Sequence, residues 1–304
     1  MYKILFAVDG SEASLRAARG LAAVLRWAKP TDVEILNVQS ETTILREAVV
    51  PSLRERAERR AREEGERALA MADAVLREVA ARTAATVRLG DAATAIARAA
   101  EMLDCAIIAM GTHGAGAVGS LLTGSVTTKV IHIGVRPILV IPPTQLPSLS
   151  DSGPPRRAGR ILVPVDGSPG AAEAVREVVR CASWFRDAPE VHLLAVYEGT
   201  PLDVEIAAMV DAQALRTHQH KALEAALAPA RTALAGTGMA VVEHTAIGSP
   251  VEAIRAAVAV NRCDLVCMGT RGMGAVRNLI LGSTTAKALR AVDVPLLVVP
   301  PSAP

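Results

Sequence analysis

The sequence is poor in aromatic residues, in unbalanced charge and in long apolar runs, and each shortage argues against one class of protein. Aromatic residues make up 2% of the chain, which leaves few rings for stacking against single-stranded nucleic acid. The net charge of 304 residues is only +2, whereas nucleic-acid-binding proteins usually present a strongly basic face. No apolar run approaches the length of a membrane span. We therefore expect neither nucleic acid nor a membrane as a partner.

Cysteine is also scarce, and its spacing does not suggest a metal site. Cys263 and Cys267 are four residues apart, but no His-rich segment or second cysteine pair accompanies them at zinc spacing. The apolar stretch after Met1 is too short for a signal peptide. Reduced cysteines and the lack of an export signal predict a cytoplasmic protein without a structural metal.

The chain contains an internal duplication. The segment Ile4–Ser11 recurs as Ile161–Ser168, and Pro137–Pro142 recurs as Pro295–Pro300, at offsets of 157 and 158 positions. Similar offsets at the start and at the end of each half indicate a duplicated domain rather than a short repeat. The stretch between the halves is rich in Pro, Ser and Gly, as linkers often are. We predict domains over residues 1–142 and 160–304, joined by a linker over 143–159.

Within each half, short apolar runs alternate with helical segments. This alternation predicts an α/β fold in which a five-stranded parallel sheet is covered by helices on both faces. Right-handed crossovers make the fold doubly wound, with a ligand crevice at the carboxyl ends of the strands where the winding reverses. In the first half we expect a long helix over Thr43–Thr83, whose many charges are interpreted as a solvated face, and a third strand over Thr86–Leu89.

A glycine motif recurs in the two halves and is the strongest indication of a binding site. Gly111, Gly114 and the pair Gly124-Ser125 recur at an offset of 158 positions, each set following an apolar run. Glycine after a strand allows backbone N–H groups to approach an anion, and the start of a helix adds unpaired donors and a positive dipole end. The pattern favours a phosphate site. The alternative is that these glycines serve only tight turns and close packing of helix on sheet.

One acidic residue in each half follows the first strand. Asp9 and Asp166 could hold a ribose hydroxyl or a Mg²⁺ ion beside the glycine loop. Alternatively, each Asp-Gly-Ser is a turn and helix cap in which the carboxylate bonds its own backbone. Ser125 and Ser283 could likewise be N-caps. No Ser/His/Asp or Cys/His set is shared by the two halves, so we expect no catalytic residue.

Together these residues resemble the universal stress protein family in its tandem form, and more specifically its ATP-binding branch. The resemblance rests on Asp9-Gly-Ser11 and Asp166-Gly-Ser168, on both glycine motifs, and on the closing strands that end at Pro142 and Pro300. It implies an adenine nucleotide alpha hydrolase-like fold with two ATP sites. By position, the residues implied to bind the nucleotide are Asp9, Val38, Gly111, Gly114, Gly124, Ser125 and Val126 in the first half, and Asp166, Val196, Gly269, Gly272, Gly282, Ser283 and Thr284 in the second.

In these assignments the glycines, serines, Val126 and Thr284 contact phosphates, the acids lie near ribose and phosphate, and the backbone at Val38 and Val196 reads adenine. The resemblance also implies that the fifth strands, Val135–Ile141 and Val294–Val299, pair within the chain, while further homodimerisation stays open. Many relatives carry a basic residue where Ala115 and Met273 stand here, so ATP binding could be weaker or another phosphorylation state favoured. Thr284 stands where the first half has Val126, so the two sites could differ in affinity.

The resemblance suggests an ATP-binding regulator whose nucleotide state changes the binding of a protein partner that the sequence does not identify. Two alternatives stay open. One is a slow Mg²⁺-dependent ATPase, in which Asp9 or Asp166 would have to position the water. The other is an interaction scaffold without nucleotide, in which the glycines form turns alone.

Overall fold

The computed structural model describes residues 2–41, 51–112, 124–143, 159–199, 212–270, 272 and 281–301. The chain divides into two compact units, Met1–Asp151 and Ser152–Pro304, which we call unit 1 and unit 2. Nearly all of the predicted linker and several residues of each glycine motif, including Gly114, lie outside the described residues. The linker and the domain boundaries therefore stay predictions.

Unit 1 contains five strands and four helices in its described part. The strands are β1 (Tyr2–Val8), β2 (Thr31–Gln39), β3 (Arg82–Leu89), β4 (Ile107–Gly111) and β5 (Ile138–Ile141). The helices are α1 (Glu12–Leu25), α2 (Pro51–Leu76), α3 (Ala92–Met102) and α4 (Ser125–Ile133).

Unit 2 repeats this order. Its strands are β6 (Arg160–Val165), β7 (Glu190–Tyr197), β8 (Val241–Ile247), β9 (Leu265–Gly269) and β10 (Leu296–Val299). Its helices are α5 (Pro169–Ala182), α6 (Ala212–Leu234), α7 (Pro250–Asn261) and α8 (Ser283–Ala291).

Each unit has a five-stranded parallel sheet, as the sequence predicts. The strand order is β3-β2-β1-β4-β5 in unit 1 and β10-β9-β6-β7-β8 in unit 2. In unit 1 the chain runs outward from β1 through β2 to β3 and then returns to place β4 on the other side of β1. The winding therefore reverses between β1 and β4, and in unit 2 it reverses between β6 and β9. In doubly wound folds, this reversal is where the carboxyl ends of the strands open a ligand crevice.

The central strands are buried because they are apolar on both faces. In β1, Ile4, Leu5 and Phe6 are at most 1% exposed, which is typical of a parallel strand between two helix layers. Three of the helices that follow strands begin at a polar side-chain cap. Ser11, Asp91 and Ser168 each accept a hydrogen bond from the backbone three residues on.

The predicted bounds of the long helix and of the third strand were wrong. Helix α2 ends at Leu76, and β3 begins at Arg82 rather than at Thr86. Arg82 and Thr83 pair in register with Asp32 and Val33 of β2. Because β3 is an edge strand with small and polar residues at its start, it lacks the apolar run that marks the central strands.

None of the four cysteines forms a disulfide, and all four are buried. None of the helices that the structure describes is both long enough and apolar enough to cross a membrane.

Candidate functional site

The residues predicted to bind a ligand gather at the carboxyl edge of each sheet. In unit 1, Ala7 of β1 pairs with Met110 of β4, so Asp9 and Gly111 leave neighbouring strands at the same end. In unit 2, Leu162 of β6 pairs with Val266 of β9, and Asp166 and Gly269 follow in the same way. The predicted role of each acid requires that the first strand of the unit lie next to the strand that precedes the glycine motif. Both units meet this requirement.

Each acid forms the local turn that was the alternative to a ligand role. Asp9 Oδ1 accepts from the backbone N–H of Ser11 at 3.0 Å and from its hydroxyl at 2.6 Å. Asp166 Oδ1 accepts from the backbone N–H of Ser168 at 2.9 Å. These are Asx turns, in which a carboxylate bonds the backbone two residues on. Both acids are exposed, so the turn fixes their position without removing them from the surface.

In unit 2 the second glycine of the motif lies against the acid. A Cβ atom added to Gly272 would lie 2.8 Å from Asp166 Oδ2, closer than side chains normally approach. The two residues are 106 positions apart in sequence, from Asp166 to Gly272, and only glycine leaves the carboxylate undisturbed at this point. The counterpart in unit 1, Gly114, lies outside the described residues.

The helices that follow the glycine motifs begin with glycine caps, so the N-cap alternative for Ser125 and Ser283 is wrong. Gly124 (φ −50°, ψ 143°) is the N-cap of α4 and Gly282 (φ −65°, ψ 150°) that of α8, and neither end has a side-chain cap. The serines are instead the first helical residues and are exposed. Val126 and Thr284 follow as second helical residues and are half-buried.

These glycine caps are informative because their backbone does not require glycine. Both have negative φ values that any residue adopts, and a Ser or Asp cap would stabilise the helix by about 1 kcal/mol. Helices α1, α3 and α5 use such side-chain caps. A glycine cap at Gly124 and Gly282 offers the first N–H groups of each helix no side-chain acceptor of its own, so these donors are suited to an anion.

A pair of threonines fixes each glycine motif, and sequence reasoning did not single them out. In unit 1, Gly124 N–H donates to Thr112 O at 2.5 Å, and the Thr127 hydroxyl donates to Gly111 O at 3.0 Å. In unit 2 the matching bonds join Gly282 to Thr270 at 2.6 Å and Thr285 to Gly269 at 2.9 Å.

We call these two bonds the threonine clamp of each unit. All four threonines are buried. The clamp joins the start of the helix to the end of the strand, so the residues on either side of the intervening segment lie close together. The four threonines recur at an offset of 158 positions, and this recurrence is the sequence feature from which their role could have been predicted.

Gly269 has a packing role. An added Cβ would lie 2.3 Å from the carbonyl oxygen of Gly170, near the start of α5. That contact is backbone against backbone, so no side chain can yield. At this glycine the close-packing alternative is supported, and it holds the helix that follows Asp166 against the end of β9.

Val38 and Val196, the predicted adenine contacts, lie on β2 and β7, just past the points where the neighbouring strands β1 and β6 end. The last residue pair between β1 and β2 is Val8 with Asn37, and that between β6 and β7 is Val165 with Ala195. Val38 and Val196 are the next residues along β2 and β7, and both are half-buried. They therefore lie at the same sheet edge as the acids, one strand further from the glycine motif.

The side chains at this corner differ between the units. In unit 1 the Gln39 amide donates to Asn37 Oδ1 at 2.8 Å, and the buried Asn37 donates to Val8 O at 2.9 Å. In unit 2, Tyr197 occupies the position of Gln39, and its ring meets the His218 ring edge-on with centroids 6.1 Å apart.

Within the part of the chain that the structure describes, no group of three or more His, Cys, Asp or Glu side chains is arranged to hold a metal ion. His113 and Arg271, which the motif places at equivalent positions, lie outside the described residues. His218 lies on α6 and contacts Tyr197.

A family model described as the Universal stress protein family matches residues 1–142 and 158–300. The solved structure of a universal stress protein from Archaeoglobus fulgidus is 24% identical, with a TM-score of 0.65 over 99% of this chain and 98% of that one. A functionally unknown protein from Pseudomonas aeruginosa is 16% identical, with a TM-score of 0.57 over 99% and 93%. At these identities, both likenesses concern the fold alone.

A protein of Thermus aquaticus named "Universal stress protein in QAH/OAS sulfhydrylase 3'region" is 46% identical over 52 residues. Those residues are 17% of this chain and 38% of that protein, so the chain matches little more than a third of that relative's length.

Proposed function

Because this chain belongs to the universal stress protein family, we propose that it is an ATP-binding regulatory protein of the stress response with one nucleotide site in each unit. The nucleotide state of the sites changes the binding of a protein partner. The proposal covers the whole set of predicted contacts, from Asp9 to Val126 in unit 1 and from Asp166 to Thr284 in unit 2.

The observation that carries the proposal is the order of the contacts along the sheet edge. In unit 1, Val38 lies on β2, Asp9 follows β1 and the glycine motif follows β4, and these are three neighbouring strands. The predicted roles on those strands are base, ribose and phosphate, which is the order of the parts in a nucleotide. Unit 2 repeats the order with Val196 on β7, followed by β6 and β9.

The phosphate end is supported by the start of α4 and of α8. Each helix has nine residues, a glycine cap without a side-chain bond, and an exposed serine at its first position. Unpaired N–H groups and the positive end of the helix dipole favour an anion there. The threonine clamp fixes these donors relative to the strand, so little ordering is needed when a phosphate binds.

The acids fit the middle of a nucleotide. Asp9 and Asp166 are exposed and oriented by their Asx turns, and Asp166 lies against Gly272 of the motif. A carboxylate in this position can accept from a ribose hydroxyl. It could also contribute one ligand to a Mg²⁺ ion that the phosphates bind. Hydrolysis is not part of the proposal and stays the alternative, in which Asp9 or Asp166 would have to position a water.

The test begins with the nucleotide that the protein carries. Purified protein is denatured, released nucleotide is identified by chromatography, and stripped protein is titrated calorimetrically with ATP and Mg²⁺. We expect two equivalents. One equivalent would mean that only one unit binds. No binding even at millimolar ATP would refute the proposal and favour a scaffold without nucleotide.

Glycine cap variants connect the binding to the site. Gly124→Leu and Gly282→Leu keep an allowed backbone but cover the helix start, so each should remove one equivalent. Ser249→Leu is the matched control, because Ser249 is an exposed N-cap with similar backbone (φ −67°, ψ 122°) and no side-chain cap bond. Phosphate release is followed in parallel. Release over hours that is lost in Asp9→Ala and Asp166→Ala would indicate a slow ATPase.

A further inference from the structure

Unit 2 has an aromatic ring at its sheet edge, although the chain has few aromatic residues. The sequence contains two Trp, two Tyr and two Phe. Phe6, Trp184 and Phe185 are buried in the core. Tyr197 is half-buried and ends β7 directly after Val196. A ring in this position is not needed to fill the core.

The backbone around Tyr197 places its ring beside the proposed nucleotide site. Tyr197 pairs with Ile247 of β8, and its carbonyl accepts from Gly248 N–H at 2.9 Å. The residue is two positions beyond Ala195, the last β7 residue that pairs with β6. The ring therefore lies at the corner where β7 continues past the end of β6, one strand from Asp166.

Helix α6 supports this corner from one side. His218 of α6 meets the Tyr197 ring at an interplanar angle of 90°. Edge-to-face contacts are a favoured geometry for aromatic rings, so this contact helps to orient the Tyr197 ring. Further along the same helix, the Cα of Ala226 lies 3.8 Å from where a Cβ of Gly167 would be, so α6 also closes over the turn after Asp166. One helix thus contacts both the ring and the turn that carries the acid.

Unit 1 has no ring at the equivalent position. Gln39 stands there, and its amide is bonded to Asn37, which in turn bonds the end of β1. A short chain of amides can hydrogen-bond, but it does not offer the aromatic face on which a nucleobase stacks. The two units therefore share the predicted phosphate end of the site and differ at its base end.

We propose that Tyr197, held by His218, is a base-stacking residue that makes unit 2 the tighter site for a purine nucleotide. The inference rests on the proposed function and adds an order of filling, with unit 2 before unit 1. Stacking depends on the base alone. Inorganic tripolyphosphate, which has no base, should therefore bind the two units with more similar affinities than ATP does.

The experiment isolates each unit in the full chain. In a Gly124→Leu background, where only unit 2 binds, ATP titrations compare Tyr197, Tyr197→Phe and Tyr197→Leu. Loss of one stacked base weakens binding by about 5- to 150-fold. We expect a loss in that range for Tyr197→Leu, near-wild-type affinity for Tyr197→Phe, and unchanged tripolyphosphate affinity for both. In the reciprocal Gly282→Leu background, where only unit 1 binds, ATP should bind more weakly than in unit 2, and a tighter unit 1 would contradict the proposed order.

Three results would overturn the inference. If ATP binds but Tyr197→Leu leaves its affinity unchanged, Tyr197 is not a stacking residue, while the proposed function stands. If Tyr197→Leu weakens ATP and tripolyphosphate equally and lowers the urea midpoint, the ring only holds α6 in place. If the wild-type protein binds no ATP at all, the proposed function fails together with the inference.

Discussion

Replacing Gly272 by alanine should weaken nucleotide binding in unit 2 without unfolding the protein. Among the described residues, the closest neighbour of a Cβ atom added at Gly272 would be Asp166 Oδ2, at 2.8 Å. That atom is the end of an exposed side chain, so it can move away by a few tenths of an ångström. The variant therefore displaces a carboxylate while leaving the core unchanged.

The expected magnitudes separate binding from stability. A hydrogen bond to a charged group contributes about 1.5–3 kcal/mol. If Asp166 accepts such a bond from the nucleotide, its displacement should raise the Kd of unit 2 by roughly 10- to 150-fold. The free energy of unfolding should change by no more than about 0.5 kcal/mol, as for other exposed substitutions. Gly269→Ala is the contrasting variant, because its Cβ meets the backbone of Gly170 and overpacking of this kind costs about 1–3 kcal/mol of stability.

The assay is an ATP titration combined with urea unfolding, arranged as a double-mutant cycle with Asp166→Ala. If Gly272→Ala acts through the carboxylate, it should add little to the loss already caused by Asp166→Ala. Losses that simply add would show that Gly272 contacts the ligand by itself. Unchanged affinity in Gly272→Ala would refute the reasoning that places Asp166 at the ligand.

Two further predictions concern stability. Thr127→Val and Thr285→Val should each lower the free energy of unfolding by about 1–3 kcal/mol, because each leaves a glycine carbonyl without its buried partner; clearly unequal urea-derived losses would contradict equivalent clamps. Burial and the adjacent His192, 2.9 Å away, lower the pKa of His244 below its usual 6.5. The unfolded chain then binds the proton on His244 more readily than the folded chain does. The contribution of neutral His244 to the free energy of unfolding is therefore complete above pH 6.5 and is lost as the pH falls through the folded-state pKa. Urea midpoints across this range should depend less on pH in His244→Gln, and equal dependence would contradict the assignment.

The fold could be predicted from the sequence because the apolar composition of its central strands indicates that both of their faces are buried. Runs such as Ile4–Val8 and Leu265–Met268 are apolar on both faces, and parallel strands between two helix layers are the environment that requires this. The duplication then supplied a second, independent copy of each pattern. The edge strand β3 was predicted too short because one of its edges has no strand neighbour and its first residues are small or polar.

The candidate site was less accessible from the sequence because its geometry depends on contacts between distant segments. Nothing in the motif reveals that Gly124 rather than Ser125 is the helix cap, since both residue types are common at that position. The clamp joins Thr127 to Gly111 across the loop, and the contact of Gly272 with Asp166 spans two motifs. Periodicity describes single elements, so it cannot predict bonds of this kind.

Comparison of the units shows which parts of the site the duplication preserved. The clamp bonds agree between units to within 0.1 Å, and both helices begin with an uncapped glycine. In contrast, the proposed base end changed from Gln39 to Tyr197, and the second residue of the first helix changed from Ala13 to Gly170. Contacts with phosphate would depend on backbone N–H donors, and the preserved clamp and glycine caps hold these donors in place. Contacts with a base would depend on side chains. Because the two units share the backbone donors for phosphate and differ in the side chains near the base, we expect them to bind the same class of ligand with unequal affinity.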